Sequence, residues 1–248
     1  MPQYGFFFDQ SRCTACHACT VACKSWNMIP PGPVKWAKLF EWETGTFPNL
    51  KINAVLVHCY HCENPVCVDA ANGAMYKEEK YGAVLIDPDK ATSPNMRAAW
   101  EACPYGAVVF DSDAPDAKAS SCTMCVDRLE QNLLPACVTA CPMRALDFGP
   151  LEDLQKKYGA SRDLPDLPSS EKTRPSAVFK ATDEKKQYVP YDVSKALQLL
   201  ANRDPYPPFY AQPSDVTEVP EGVVKRNRMI LKPKSTQELM EATRHDEG

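Results

Sequence analysis

The chain has 248 residues, 44% of them hydrophobic, and a formal net charge of -4 when cysteine is counted as neutral. An acidic balance disfavours nucleic acid as a partner, and no apolar run approaches the roughly 20 residues that a membrane-spanning helix needs. The 23 prolines against 10 glycines predict much loop and extended backbone rather than one large apolar core. The 12 cysteines are therefore the main candidates for function.

The first cysteine group follows a short apolar strand predicted over residues 4–8. It reads C-x2-C-x2-C-x3-C, and its last two members fall on a helical turn predicted over residues 18–24. In bacterial ferredoxins the first three thiolates of such a run hold one iron–sulfur cluster and the fourth binds another. The group consists of Cys13, Cys16, Cys19 and Cys23. Residues 26–48 form an insertion whose three tryptophans we expect to pack over clusters or against a partner: Trp26, Trp36 and Trp42.

The second group follows a strand predicted over residues 54–57 and lacks its fourth cysteine. Ala71 stands where the C-x3-C spacing would place that cysteine. His58 and His61 adjoin this group, and for them we expect packing or hydrogen bonding near a cluster rather than ligation. The remaining members are Cys59, Cys62 and Cys67.

The third group lies between strands predicted over residues 84–86 and 108–110 and has lost its first three cysteines. Its fourth member, Cys103, ends a helical turn predicted over residues 96–102. The lead into this group repeats the apolar-Asp-x3 lead of the first group, but Ala91 replaces the first cysteine. The absent cysteines therefore belong to a recognisable repeat.

The fourth group is complete and is followed, like the third, by proline. The segments 103–107 and 141–145 echo each other, which indicates a unit that was duplicated twice. The members of the fourth group are Cys122, Cys125, Cys137 and Cys141.

Exchange of fourth cysteines between paired groups predicts three complete 4Fe–4S sites. Groups one and four exchange with each other, and so do groups two and three. The fourth site would need a cysteine at position 71 and three from group three, so it is deleted as a unit. The predicted ligand sets are Cys13, Cys16, Cys19 and Cys141; Cys23, Cys122, Cys125 and Cys137; and Cys59, Cys62, Cys67 and Cys103.

Two other interpretations of the cysteines fit less well. A disulfide framework is typical of small secreted chains and suits 248 residues poorly. Zinc sites are usually built from two separated C-x2-C or C/H pairs, whereas three cysteines in a seven-residue run with a distant fourth before proline is the pattern of a four-iron cluster. We therefore expect iron–sulfur clusters.

The predicted fold is α+β, with two ferredoxin-like modules intertwined over residues 1–150. Residues 151–248 are predicted to be a helix plus a Pro-rich, largely extended arm that wraps a partner, with helices at 151–158 and 193–201. A disordered tail is the alternative. The apolar residues of 206–210 and 229–231 favour the arm.

The cysteine groups, the C-P-Y-G-A segment at 103–107 and the R-A-L-D-F-G-P segment at 144–150 resemble the iron–sulfur, electron-transfer subunits of molybdopterin oxidoreductases of the dimethyl sulfoxide reductase family. The resemblance covers roughly residues 1–180. Most such subunits hold four clusters. The loss of this particular cluster is similar to the small subunits of pyrogallol–phloroglucinol transhydroxylases, although no run of alternating strands after residue 180 matches their C-terminal barrel.

The resemblance implies a large catalytic partner that holds molybdopterin guanine dinucleotide with Mo or W, with the Cys13 set nearest to it and the third set farthest. The missing cluster is the one that would face a membrane quinone subunit, so a soluble electron donor is expected. We expect no catalytic residue in this chain, and hydroxylated aromatic substrates for the partner. The alternatives are a sulfur-compound or oxyanion reductase and a free-standing polyferredoxin. The expected compartment is the cytoplasm, or export as a folded complex on a partner's twin-arginine signal.

Overall fold

Backbone contacts divide the chain into two units, Met1–Thr182 with Arg226–His245, and Asp183–Lys225 with Asp246–Gly248. All elements named below lie in the first unit. The computed structural model describes residues 2–45, 51–182, 194–195, 198, 201–202 and 231–238.

Short strands and short helices alternate along the first unit. The strands are β1 (Tyr4–Asp9), β2 (Lys38–Thr44), β3 (Lys51–Val57), β4 (Met75–Lys77), β5 (Val84–Ile86), β6 (Val109–Phe110), β7 (Ala119–Ser120), β8 (Leu146–Pro150) and β9 (Ala177–Lys180). The helices are α1 (Ala18–Trp26), α2 (Val66–Ala70), α3 (Asn95–Ala102), α4 (Val126–Leu129), α5 (Ala136–Ala140) and α6 (Leu151–Tyr158), with a single 3-10 turn at Pro88–Lys90. This mixture is consistent with the predicted α+β class.

Strand β1 is the central strand of a three-stranded sheet of order β8-β1-β9. One of its neighbours, β9, comes from beyond residue 150. Strand β9 runs parallel to β1, with Phe6 opposite Ala177. The backbone comes close here because position 5 is glycine: a Cβ on Gly5 would lie 2.4 Å from the carbonyl oxygen of Ser176. The boundary predicted at residue 150 therefore falls inside a compact unit that continues to Thr182.

Helix α6 packs on the outer face of this sheet. Phe7 stacks on Tyr158 with ring centroids 3.7 Å apart, and Leu151 and Leu154 are buried beside Val178. The helix has acidic residues in its first turn and lysines in its last, an order that complements its dipole. Its bounds confirm the helix predicted over 151–158.

The strands and helical turns predicted over residues 4–158 are confirmed in type and in place, with ends shifted by at most three residues. Five strands of the described residues were not predicted: β2, β4, β7, β8 and β9. The longest, β2, lies inside the predicted insertion and pairs antiparallel with β3, with Lys38 opposite Val57. The prolines of the insertion, at positions 30, 31, 33 and 48, all lie outside Lys38–Thr44 and leave β2 free to join the ladder. The helix predicted over 193–201 and the apolar residues of 206–210 fall largely or wholly outside the described residues.

Two helix pairs hold the cysteine groups together. Helix α1 packs against α5, and α2 packs against α3. The first pair joins groups one and four, and the second pair joins groups two and three. The core runs between the pairs and contains most of the cysteines.

Candidate metal centres

The first cysteine quartet surrounds a cavity near the end of β1 and the start of α1. Three of its members come from the loop after β1 and the start of α1, and the fourth follows α5. Burial raises the pKa of Cys13, and the charges of Cys141 and Cys16 raise it further. The thiols that line this cavity are those of Cys13, Cys16, Cys19 and Cys141.

The second quartet lines a separate cavity. Burial raises the pKa of Cys122, and the charges of Cys23, Cys125 and Cys137 raise it further. All four of these thiols are buried. The other walls of the cavity include Phe6, Trp36, His58 and Met124.

The third quartet joins the loop after β3 and helix α2 to the end of α3. Burial raises the pKa of Cys67 to about 12, and the charges of Cys103 and Cys62 act in the same direction. Cys59 interacts with the same three thiols. Thr173, from beyond residue 150, is only 1% exposed, and its hydroxyl hydrogen-bonds the sulfur of Cys62.

The C-x2-C loops share one unusual backbone conformation. In the C-x2-C loops that open groups one, two and four, the residue before the second cysteine has positive φ: 55° at Ala15, 46° at His61 and 58° at Met124. A side chain in this left-handed region costs about 1–2 kcal/mol. The turn directs backbone N–H groups at sulfur, since Met124 donates to the Cys122 Sγ at 3.4 Å. Such bonds stabilise thiolates and raise a cluster's potential.

The thiols resist ionisation unless a cation is bound with them. Burial raises the pKa of Cys19 to about 12, of Cys23 to about 11 and of Cys62 to about 12. Four such groups ionise together only when a positive core offsets their charge. The donor set, with four thiols around one cavity in each of the first two quartets, therefore fits 4Fe–4S clusters.

The second quartet adjoins both of the others. The charge of Cys19 acts on Cys137, which links the first quartet to the second. The charge of Cys122 acts on Cys59, which links the second to the third. The second quartet is the most deeply buried, because all of its thiols are buried, whereas Cys16 in the first is exposed and Cys62 in the third is half-buried.

No three His, Cys, Asp or Glu side chains within the described ranges converge closely enough to hold a single metal ion. A four-iron cluster does not require such convergence, because each thiolate binds a separate iron. In the same part of the chain, no helix has the length and apolar character needed to cross a membrane.

Comparison with known proteins agrees with this geometry. A family model described as a 4Fe-4S dicluster domain matches residues 51–151. Over 187 residues the chain is 36% identical to the B chain of anaerobic dimethyl sulfoxide reductase of Escherichia coli, an alignment that covers 72% of this chain and 88% of that protein. The chain belongs to the iron–sulfur subunits of the dimethyl sulfoxide reductase family.

Other relatives of this iron–sulfur subunit serve different oxidoreductases. It is 35% identical over 174 residues to the B subunit of sulfite dehydrogenase of Allochromatium vinosum, covering 62% of this chain and 71% of that one. It is 32% identical over 218 residues to the beta subunit of formate dehydrogenase 2 (cytochrome c-553) of Nitratidesulfovibrio vulgaris, covering 77% and 98%. The subunit therefore binds 4Fe–4S clusters and transfers electrons within an oxidoreductase that has a catalytic partner.

In the subunit, helix packing fills the region of the deleted site. Ala91, which replaces the first cysteine of group three, is 3% exposed, and Ala99, four residues before Cys103 as in both intact groups, is fully buried on α3. Ala71, at the end of α2, is also fully buried. Apolar side chains of the α2–α3 pair thus stand where thiolates of a fourth site would be needed.

The two histidines beside Cys59 and Cys62 are buried and neutral. Burial lowers the pKa of His58 to about 4 and that of His61 to about 3. His61 Nδ1 accepts the N–H of Val84 at 2.9 Å, so its Nε2 carries the proton. His58 packs edge-on against Phe6, with ring centroids 4.4 Å apart.

The three tryptophans have three different surroundings. Trp36 lines the second cavity, as expected for packing over a cluster, and Trp42 is buried in the core. Trp26 is 40% exposed, donates its indole N–H to Asp127 at 2.7 Å and lies under the guanidinium of Arg128. The indole of Trp26 therefore lies partly exposed at the surface of the subunit.

Two residues near the third quartet, Lys38 and Thr173, are not indicated by any sequence motif. Lys38 is 1% exposed and was passed over as part of an insertion, although it alternates with the apolar Phe40 and Trp42 along β2. That alternation could have placed Lys38 on the inward face. Thr173 had no comparable signal, because its position depends on the return of the chain along β9.

Proposed function

We propose that this subunit holds three 4Fe–4S clusters in a row and relays electrons to and from a molybdopterin catalytic subunit. The carrying observation is the pair of charge interactions, Cys19 with Cys137 and Cys122 with Cys59, that join the three quartets. Under this proposal the twelve cysteines are ligands in the sets Cys13, Cys16, Cys19 and Cys141; Cys23, Cys122, Cys125 and Cys137; and Cys59, Cys62, Cys67 and Cys103.

The catalytic partner docks beside the first quartet. Six of the eight exposed large apolar side chains of the described residues lie in two segments, 21–28 and 133–143, that flank the α1–α5 pair. Singly exposed apolar residues are ordinary, but a group beside an exposed cysteine favours a protein interface. The six are Val21, Trp26, Met28, Leu133, Leu134 and Met143.

The far end of the relay is the third quartet. A fourth cluster would extend the path, but the residues that stand in its place are apolar. We therefore infer that electrons enter or leave through a soluble partner rather than through a quinone subunit in the membrane. Stable purification with an integral membrane quinol subunit would contradict this inference.

The substrate is bound by the catalytic subunit, not by this chain. The proposal of hydroxylated aromatic substrates rests on the missing fourth cluster, which is also missing from transhydroxylase small subunits. A sulfur compound is the second candidate, because relatives include subunits of a dimethyl sulfoxide reductase and a sulfite dehydrogenase. Assay of the purified complex with both substrate classes separates the two.

Anoxic purification of the tagged subunit from its own cells tests the relay. We expect a large Mo- or W-containing polypeptide in stable association, and about twelve iron and twelve sulfide per subunit. A monodisperse monomer with stable clusters would favour a free polyferredoxin. About eight iron would contradict three clusters, and zinc in place of iron would contradict the proposal altogether.

A further inference from the structure

We infer that Lys38 is a potential-tuning residue, whose buried ammonium raises the reduction potential of the cluster held by Cys59, Cys62, Cys67 and Cys103. This inference rests on the proposed third cluster. It assigns a role to a residue outside every cysteine motif.

The position of Lys38 is fixed by the ladder between β2 and β3. Lys38 stands opposite Val57, two residues before Cys59, at the end of the ladder nearest the third quartet. Its side chain points inward with that of Phe40, and only 1% of the residue is exposed. The lysine is therefore part of the wall around the quartet and not a surface group.

A hydrogen bond joins Lys38 to the loop that follows Cys103. The ammonium donates to the carbonyl oxygen of Gly106 at 2.6 Å. Gly106 has φ 59°, and its N–H donates to the carbonyl oxygen of Cys103 at 3.4 Å. This turn holds the charge of Lys38 at a fixed place beside one ligand of the quartet.

Within the part of the chain that the structure describes, no carboxylate pairs with Lys38. Glu101 and Asp113 line the same cavity as Lys38, but no ion pair of Lys38 exists among the described residues. Burial lowers the pKa of Lys38 to about 8, and the one charge that opposes this shift is that of Cys103. An unpaired buried ammonium is costly, so the cluster itself is the fitting counter-charge.

The sign of the effect follows from cluster charge. A core of about +2 with four thiolates carries about -2, and one electron takes it to about -3. The ammonium interacts more strongly with the reduced form, which raises the potential, and no proton moves in the step. Other lysines of the described residues are less suited: Lys24 is near the surface, and Lys77, near Cys62, also faces Glu63.

A higher potential at the third quartet makes it the electron-collecting end of the relay. Electrons released at the catalytic subunit would rest there before a soluble partner removes them. The first and second quartets, which lack a buried lysine among the described residues, would hold electrons less well.

Redox titration of the whole complex, followed by electron paramagnetic resonance, tests the role of Lys38. In Lys38→Met we expect the ratio of reduced to oxidised third cluster at a given potential to fall about tenfold, a shift of about 59 mV. Lys38→Arg should restore most of the shift. The other two clusters should titrate as before, and the exposed Lys90→Met should change none of the three.

Several outcomes would overturn the inference. An unchanged third cluster in Lys38→Met, or equal shifts in all three, would show that the charge does not act locally. Lys38→Gln keeps a donor for the Gly106 carbonyl while removing the charge; loss of the third cluster in both neutral variants would mean that the lysine is structural. A wild-type complex with only two clusters would instead contradict the proposed function.

Discussion

The α1–α5 and α2–α3 helix pairs are built alike, yet the first lies between two complete quartets and the second beside one. In both pairs a cysteine caps the second helix with nearly the same extended backbone: φ -70° and ψ 107° at Cys141, φ -73° and ψ 112° at Cys103. The difference lies in what precedes the cap. Four residues earlier, α5 has Cys137, whereas α3 has Ala99.

The α2–α3 pair shows how a cluster can be lost without loss of the fold. Under the proposed ligand sets, thiolates and an iron core would hold the α1–α5 region together, whereas Met96, Ala99 and Ala71 pack directly against neighbouring side chains. Apolar burial of this kind contributes roughly 25 cal/mol per Å². Close packing therefore replaces metal–ligand bonds as the source of stability there.

The largest expected effect follows from breaking the central quartet. Cys137→Ser should disturb the second cluster and stop electrons from passing between the catalytic subunit and the third cluster. A small chemical reductant should then still reduce the third cluster, whereas reduction through the catalytic subunit should fail at that cluster alone. If the third cluster is still reduced through the partner at the normal rate, the order of the quartets is wrong.

Removal of the end quartet should be milder. Cys103→Ser is expected to change the spectrum of one cluster, with iron falling by about a third. Reduction of the first two clusters through the catalytic subunit should persist. Simultaneous change in the signals of two clusters would mean that the proposed ligand sets are incorrect.

The packed region of the α2–α3 pair can be tested without touching a thiol. Met96→Ala should lower the free energy of unfolding by about 2–5 kcal/mol, because it leaves a cavity at a fully buried position. Anoxic urea unfolding followed by circular dichroism measures the change. The control is Met28→Ala, at an 87% exposed residue, which should stay within about 0.5 kcal/mol. Equal effects of the two would argue against a packed core there.

A smaller effect is expected where α6 joins the sheet. Burial opposes ionisation of Asp147, but hydrogen bonds from Tyr158 and Lys157 outweigh it and lower the pKa below 3.8. This stabilisation is present above pH 3.8 and is lost as the pH falls further. Asp147→Asn should therefore cost roughly 1 kcal/mol, equally at pH 7 and pH 5, as measured by thermal unfolding. A cost that fades between these pH values would mean a raised pKa; the exposed Asp153→Asn is the control.

Local signals account for what could be predicted. The apolar run at residues 4–8, the amphipathic pattern at 151–158 and the cysteine spacing each involve neighbours a few residues apart, and each is matched by an element of the structure. Strand β2 was not predicted because it lies in a proline-rich insertion, which indicates loop. Its extended conformation depends on pairing with β3. Strand β9 was missed because it pairs with a strand about 170 residues earlier.

By itself, the sequence determined the family, the binding of 4Fe–4S clusters and the absence of cysteines for a fourth site, because spacing between thiols is a property of the chain. Only the tertiary structure decided that residues 151–182 complete the first unit, that Thr173 reaches Cys62, and that Lys38 is buried beside Cys103. These contacts join residues far apart in the chain, and burial exists only after folding.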